Sequence, residues 1–353
     1  MIIDLPSTTT ADVSNRLVRL CAETGSMALS RVLPLIVVVD ESMAEEAIET
    51  ANDASRQHPS RTVVVVTSNR RGLPRLDAQI RVGGDAGASE VLVLRLYGAL
   101  ADHGRSVVTP LLLPDSPIVA WWPGNAPKDP AKDPIGAMAD RRVTDSARTT
   151  GRPGTVLARL AAAYSAGDTD LAWTRITLWR ALLAAALEQP PFEPVQAATV
   201  TGAPDSPSAD LLAGWLAVQL RCPVSLARSR HRTGVISVRL ERRSGSIDLV
   251  RPLETNVGTL SQPGQPLRTL ALAHRGDAEC LADELRRLDP DEVYQAALTL
   301  GIPRVSSGRT AGQAVRAGEA PSVAEAERAE RRAVRRARDD ERAAPAGEEP
   351  GGR

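Results

Sequence analysis

Two short polar clusters are the places where residue types and spacing could support binding chemistry. The first is Arg56-Gln-His-Pro-Ser-Arg61, which places two arginines, an imidazole and a serine between a predicted helix and a predicted strand. Groups of this kind can receive a phosphate or a carboxylate. The alternative is that these cations end the helix and face its exposed carbonyl groups, where the helix dipole favours positive charge.

The second cluster is the extended segment Arg141-Arg-Val-Thr-Asp-Ser-Ala-Arg148. Its polar residues next to Arg148 could form the rim of a binding site. Equally, Asp145 could cap the following turn and pair with an arginine. Together the two clusters give one candidate anion-binding set, which consists of His58, Arg61, Asp145 and Arg148. Because no nucleophile–base pair accompanies it, the sequence predicts no catalytic residue.

Sequence signatures of catalysis and of metal binding are otherwise missing. The chain has no GxSxG, HExxH or GxxxxGK[ST] motif, and Gly83-Gly-Asp-Ala-Gly87 does not match GxGxxG, although its backbone could cradle an anion. The histidines and cysteines are widely spaced: His58, His103, His231, His274, Cys21, Cys222 and Cys280. We therefore expect no metal, no cofactor and reduced buried thiols, as in a cytosolic protein.

Length and charge narrow the class of protein. The 353 residues leave room for two domains, and 43 basic side chains balance 43 acidic ones. This balance gives no net field that would favour nucleic acid or a membrane surface as a partner. No apolar run approaches the roughly 20 residues that cross a membrane, and the N-terminus does not resemble a signal peptide. We expect a cytoplasmic location and no membrane partner.

The elements that must position the two clusters fall into two halves. Alternating strands and helices predict an α/β domain over residues 1–168, with a sheet covered by helices on both faces. Strands in a meander, with helices around them, predict an α+β domain over residues 169–303. Residues 304–353 are rich in Ala, Arg and Glu and have no aromatic residue, so we expect a disordered charged tail.

Two neighbouring tryptophans mark a predicted strand, Ile118–Trp122, between Pro117 and Pro123. Successive side chains on a strand point to opposite faces, so Trp121 and Trp122 cannot serve the same side of the sheet. We expect one ring to face the core and the other to meet a second layer, a pocket or a partner. The alternative is that both rings are packed between the strand and the covering helices.

Two further tryptophans lie on a helix predicted over Leu171–Leu187. Trp179 belongs to the apolar stripe of this helix, whereas Trp173, Thr177 and Arg180 share an adjoining face. Trp173 and Arg180 are therefore additional candidates for a surface contact.

Four segments, in this order and spacing, resemble the glucose-6-phosphate dehydrogenase assembly protein family (OpcA): Gln57-His-Pro-Ser-Arg61, Pro114-Asp-Ser-Pro-Ile-Val-Ala-Trp-Trp-Pro-Gly124, Thr144-Asp-Ser-Ala-Arg148 and Asp170-Leu-Ala-Trp-Thr-Arg-Ile-Thr-Leu-Trp-Arg180. The resemblance extends over residues 1–303, and the Ala- and Arg-rich composition suits an actinobacterial member. It implies a non-enzymatic protein that binds glucose-6-phosphate dehydrogenase, promotes its active oligomer and raises its activity, at the entry to the oxidative pentose phosphate pathway. NADP and glucose 6-phosphate would belong to that partner. Cyanobacterial relatives are associated with thioredoxin-linked control, but this chain has no close cysteine pair.

The exposed tryptophan and helix faces predicted above are our candidates for the contact with this partner. Binding can activate an enzyme only through different affinities for its active and inactive states. We expect the surface that makes this distinction to include these five residues: Asp115, Trp121, Trp122, Trp173 and Arg180.

Two alternatives stay open. In the first, the chain is a sugar-phosphate-binding protein or enzyme whose pocket contains His58, Arg61, Asp145 and Arg148. In the second, it associates with nucleic acid through Arg331-Arg332 and Arg335-Arg336 of the tail, a role that the interleaved acidic residues disfavour.

Overall fold

A computed structural model of the chain describes residues 1–23, 33–68, 70–82, 90–113, 115–229, 234–251 and 256–307. Within these ranges the chain forms two β-sheets with helices packed against them. The glycine cluster at residues 83–87, His231 and the chain from residue 308 onward lie outside the described residues. The disorder expected of the tail therefore stays a prediction, as does the alternative role of its arginine pairs in binding nucleic acid.

The first sheet has eight strands in the order β1-β4-β5-β3-β2-β6-β7-β8. Their bounds are β1 (Ile2–Leu5), β2 (Leu33–Asp40), β3 (Ser60–Thr67), β4 (Arg75–Arg81), β5 (Glu90–Tyr97), β6 (Val119–Trp122), β7 (Arg141–Thr144) and β8 (Asp168–Asp170). Six neighbouring strands run parallel to one another: β5, β3, β2, β6, β7 and β8. At one side of the sheet, β4 pairs antiparallel with β5, and β1 pairs antiparallel with β4. This is the predicted α/β architecture, and it is Rossmann-like.

Helices cover both faces of the first sheet. They are α1 (Thr10–Glu23), α2 (Ala44–Gln57), α3 (Gly104–Val108) and, from late in the chain, α8 (Asp277–Arg286). Strand β3 contains the unbroken apolar run 63–66 because its two faces enter different cores: Val64 packs into the core that contains α2 and α8, whereas Val63 packs into the core that contains α1 and α3. A parallel strand buried on both faces needs apolar residues at every position rather than at alternate ones.

The second sheet has seven strands in the order β14-β13-β12-β11-β9-β10-β15. Their bounds are β9 (Ala197–Gly202), β10 (Val224–Arg228), β11 (Val235–Glu241), β12 (Ile247–Val250), β13 (Val257–Ser261), β14 (Arg268–Ala271) and β15 (Ser306–Ser307). The helices that contribute to the core beside it include α4 (Pro153–Ala163), α6 (Thr177–Leu187), α7 (Pro207–Leu220) and α9 (Glu292–Ala296). The predicted α+β arrangement of this half is confirmed.

The helix predicted over Leu171–Leu187 is in fact two helices. A short α5 (Leu171–Thr174) ends before Ile176, whose backbone (φ −95°, ψ 10°) leaves the helical range, and α6 then begins at Thr177. The sequence of residues 133–139 also favours a helix, but the structure has only one 3₁₀ turn there, Gly136–Met138.

The two halves share elements at their border. The boundary predicted between residues 168 and 169 lies inside β8, which pairs with β7 of the first sheet. Helix α8 follows the strands of the second sheet in sequence but packs against α2, and Leu281 and Leu285 enter the core of the first sheet. The division into two domains at residue 168 therefore stays a prediction.

Candidate functional site

A buried carboxylate, Asp170, organises the end of the first sheet. It caps α5 by accepting a hydrogen bond from the amide of Ala172 at 2.9 Å. It also accepts hydrogen bonds from Thr144 Oγ1 at 2.7 Å and Ser146 Oγ at 2.8 Å. Strands β7 and β8 are parallel, so their carboxyl ends lie side by side and bring these residues together. Two of the segments that carry the family resemblance meet here.

The environment of Asp170 favours its protonated form. Burial raises the pKa of this carboxyl to about 7 from a usual value of 3.8, and the charge of Asp145 acts in the same direction. Hydrogen bonds from Thr144, Ala172 and Ser146 partly oppose the rise. A carboxyl whose pKa is raised by folding stabilises the fold fully below its unfolded pKa, and this contribution is lost as the pH rises through the folded value.

The substitution Asp170→Asn tests this pH dependence, because the amide has no proton to lose. Relative to the natural protein, the free energy of unfolding of the variant should increase between pH 3.8 and about 7. The increase should reach at most about 1.4 kcal/mol per pH unit. Urea unfolding of both proteins at a series of pH values gives the difference directly. A difference that does not vary with pH would show that the hydrogen bonds keep Asp170 ionised in the fold.

Asp145 and Arg148, which the sequence predicts to bind an anion, lie in a chain of ion pairs. Asp145 is fully buried and accepts hydrogen bonds from both terminal nitrogens of Arg175, at 2.8 and 2.7 Å. Arg175 also contacts Asp277 at 2.6 Å, and Asp277 contacts Arg148 at 3.0 Å. Arg148 then pairs with Glu46 of α2. The chain of ion pairs joins β7, α5, α8 and α2, so these residues stabilise tertiary structure.

The other two residues of the predicted anion-binding set lie at the amino ends of the parallel strands, away from Asp145. Arg61 is near the amino end of β3 and pairs with Glu90 of β5 at 2.8 Å. His58 caps α2 through its backbone amide, which donates to the carbonyl oxygen of Ala54 at 3.0 Å. Asp145, by contrast, follows the carboxyl end of β7, and β7 runs parallel to β3. Contrary to the prediction, the structure does not bring the four residues into one pocket.

The tryptophans of the predicted partner-binding set are buried. Trp121 and Trp122 point to opposite faces of the first sheet, as predicted, and each enters a different core. Trp173 is equally buried and donates its indole N–H to Asp291 at 2.8 Å. Rings at such positions cannot touch another protein in this conformation. Asp115 is the exposed member of the set, in a left-handed backbone conformation (φ +57°).

Arg180 borders a small polar cavity between α6 and α8. Its guanidinium lies over the ring of Trp173, 3.7 Å from the ring centroid, and its Nη2 donates to Thr177 Oγ1 at 3.3 Å. The face that the sequence predicts for Trp173, Thr177 and Arg180 is thus confirmed, although the indole ring lies beneath the arginine rather than at the surface.

The one exposed aromatic side chain is a residue that the sequence reading did not select. Of the nine aromatic residues, only Phe192 is exposed, at 76% of its surface. It lies in the segment Gln189–Glu193, which follows α6. A lone phenylalanine in Gln189-Pro-Pro-Phe-Glu-Pro194 was the available signal, since the prolines exclude a helix or a central strand that could bury it.

The described part of the chain also yields two negative results. None of its helices is both long enough and apolar enough to span a lipid bilayer. Nor do the described residues include a group of three or more His, Cys, Asp or Glu side chains that could hold a metal ion.

Comparisons with known proteins identify two successive matches. The family model described as glucose-6-phosphate dehydrogenase subunit N-terminal domain matches residues 51–162, and the corresponding C-terminal domain matches residues 166–298. No curated protein matches the chain. Among solved structures, the chain is similar to myo-inositol dehydrogenase from Lactobacillus casei in complex with NAD(H) and myo-inositol. That similarity has 9% identity and a TM-score of 0.39, and it covers 78% of this chain and 93% of the other.

Proposed function

The chain belongs to the glucose-6-phosphate dehydrogenase assembly protein family (OpcA), and on this basis we propose that it is a non-enzymatic assembly factor and activator. In this proposal it binds glucose-6-phosphate dehydrogenase, promotes the active oligomer of that enzyme and thereby acts in the oxidative pentose phosphate pathway. It would do so in the cytoplasm, without a cofactor of its own. The observation that carries the proposal is the pair of family matches, which together span residues 51–298 apart from a gap of three residues.

Buried carboxylates within the two matched family domains support a role without catalysis. Asp170 accepts hydrogen bonds from donors of its own chain, and Asp145 accepts a hydrogen bond from Arg175. Glu284 accepts from both Arg141 and Thr174. A catalytic carboxylate needs a face open to substrate, whereas these three groups are buried and hydrogen-bonded within the fold.

We propose that the contact with the dehydrogenase lies on the surface around Phe192, which consists of residues 189–193 and Leu267. Phe192 and Leu267 are both exposed and apolar, and Arg268, the neighbour of Leu267, contacts Gln189. Exposed apolar side chains that lie together mark sites of protein–protein interaction. Aromatic residues are enriched among those that dominate binding energy. An activator needs a surface that can be desolvated on binding, and Phe192 offers the largest exposed apolar ring for this purpose.

Three contacts hold Phe192 in place. Pro191 O accepts a hydrogen bond from Arg242 Nη1 at 3.0 Å, directly before the phenylalanine. Directly after it, Glu193 accepts a hydrogen bond from the amide of Ser244 at 3.0 Å. A third bond, from Arg268 to Gln189 at 3.1 Å, joins the segment to the neighbour of Leu267. The ring is therefore presented on an ordered backbone, which reduces the entropy lost on binding.

Mixing the purified chain with purified glucose-6-phosphate dehydrogenase from the same cell tests the assembly role. We expect the two proteins to elute together from a sizing column, with a mass by light scattering that exceeds that of the dehydrogenase alone. We also expect faster NADPH formation in the mixture, because preferential binding shifts the enzyme towards its active oligomer. The dehydrogenase alone at the same concentration is the control.

Two results would contradict the proposal. One is the absence of both a complex and a rate change when each protein is shown to be folded. The other is NADPH formation by the isolated chain with glucose 6-phosphate and NADP, which would make the chain itself an enzyme.

A further inference from the structure

A cavity of about 150 Å³ lies between α6 and the end of α8. Its lining residues include four arginines, Arg141, Arg180, Arg286 and Arg287, and three acidic residues, Asp283, Glu284 and Asp291. The cavity is separate from the surface around Phe192, and none of the residues predicted from the sequence to bind an anion lines it. Some of these charged groups already form ion pairs within the fold.

The carboxylates in the cavity wall have donors of their own. Glu284 accepts hydrogen bonds from Arg141, and Asp283 pairs with Arg275 at 2.7 Å and with Arg286 at 3.3 Å. A third carboxylate, Asp291, accepts the indole N–H of Trp173 and the amide N–H of Tyr294, both at 2.8 Å. Two of the four arginines, Arg141 and Arg286, are therefore paired within the fold.

Arg180 and Arg287 have no carboxylate partner among the described residues. The hydrogen bond of Arg180 to Thr177 uses Nη2, and its Nε has no acceptor. Burial lowers the pKa of Arg180 to about 10, although the charges of Asp291 and Glu284 act in the opposite direction. The side chain of Arg287 is exposed at the end of α8 and takes part in no ion pair with the described chain. An anion in the cavity would satisfy both groups.

The size of the cavity restricts the ligand. Pockets that enclose a whole small molecule usually measure about 300–1,000 Å³, and one water molecule occupies about 30 Å³ in the liquid. A volume of about 150 Å³ thus suits one phosphoryl group, with any organic part outside. Guanidinium groups match phosphate oxygens in a bidentate geometry, and two of them balance a dianion better than a monocarboxylate.

We propose that Arg180 and Arg287 bind the phosphoryl group of a small phosphorylated metabolite in this cavity. Arg180, fixed by its stacking on Trp173, provides the preformed contact at the inner end. Arg287 closes over the ligand from the exposed end of α8. The proposal concerns the isolated chain and does not depend on its association with a dehydrogenase.

Isothermal titration of the full chain with inorganic phosphate, and separately with glucose 6-phosphate, tests the site. We expect saturable binding of both probes at one shared site, shown by competition between them. Arg180→Gln and Arg287→Gln should each weaken binding by roughly tenfold or more, because each removes charged hydrogen bonds to the ligand. Arg105→Gln, an exposed arginine on α3, is the matched control and should bind as the natural protein does.

The same titrations can overturn the proposal. Absence of binding by the folded natural protein at millimolar phosphate and glucose 6-phosphate would do so. Unchanged affinity in either arginine variant, with circular dichroism showing a native fold, would do so as well. Arg287→Gln alters only an exposed side chain, so it remains informative if Arg180→Gln fails to fold. Equal affinity for the two probes would support recognition of the phosphoryl group alone.

Discussion

Phe192→Ala should weaken the complex with glucose-6-phosphate dehydrogenase by roughly 30-fold in Kd, which corresponds to about 2 kcal/mol. The reason is that Phe192 is the only exposed aromatic residue of the chain and its segment is held by the turn between β11 and β12. Removing the ring deletes the apolar area that would be desolvated on binding. Since the ring contributes little to the core, the free energy of unfolding should change by less than about 0.5 kcal/mol.

The measurement is a titration of the dehydrogenase with the natural protein and, separately, with the variant. Binding is read by biolayer interferometry and activation by the rate of NADPH formation. Both readouts should shift together, because the proposal links activation to binding. Leu73→Ala is the control: Leu73 is 87% exposed and precedes β4 of the first sheet, and the variant should bind normally. Equal affinity of Phe192→Ala and the natural protein would remove Phe192 from the contact surface while leaving the assembly role standing.

The sequence predicts best those elements whose local residue pattern is compatible with only one type of secondary structure. The β-branched runs at Leu33–Val39 and Arg61–Thr67 correspond to β2 and β3, because continuous β-branched residues suit strands buried on both faces. Strand β5, Glu90–Tyr97, was not predicted. Its leucines and valines are compatible with a buried helix as well as a strand, and periodicity alone does not separate the two in short apolar runs.

The candidate sites were harder to predict, because their partners are distant in the sequence. Helical spacing correctly placed Trp173 and Arg180 together, since that relation is local. The partner of Trp173, however, is Asp291, which lies 118 residues further along the chain. Arg175 likewise meets Asp277 at a separation of 102 residues. Only the packing of α8 and the turn after it against the first half of the chain creates these contacts.

The location of the recognisable segments has a consequence for function. Trp121, Asp145 and Asp170 stand in the segments that carry the family resemblance, yet all three are buried. Such residues identify the fold because many contacts depend on each of them. The surface that meets a partner can be built from a segment with no such signature, and Phe192 in its proline-rich segment fits that description.

Glu284→Gln should lower the free energy of unfolding by about 3–5 kcal/mol. Glu284 and Arg141 are both buried, and their contact joins α8 to β7 across the border between the two halves. Glutamine keeps the shape of the side chain but removes its charge, so Arg141, only 3% exposed, would remain as an uncompensated buried cation. Its remaining bond, to Asp289 O at 2.8 Å, does not neutralise it.

The effect of burial is isolated by comparing the free energies of unfolding in urea of Glu284→Gln and Glu279→Gln. Glu279 lies on the same α8 helix and pairs with Arg275 at 2.7 Å, but its side chain is half exposed, so its substitution should cost no more than about 0.5 kcal/mol. The double variant Arg141→Met with Glu284→Leu should recover most of the lost stability, because an apolar pair replaces both charges. Equal losses in the two single variants would mean that the buried pair contributes no more than an exposed one.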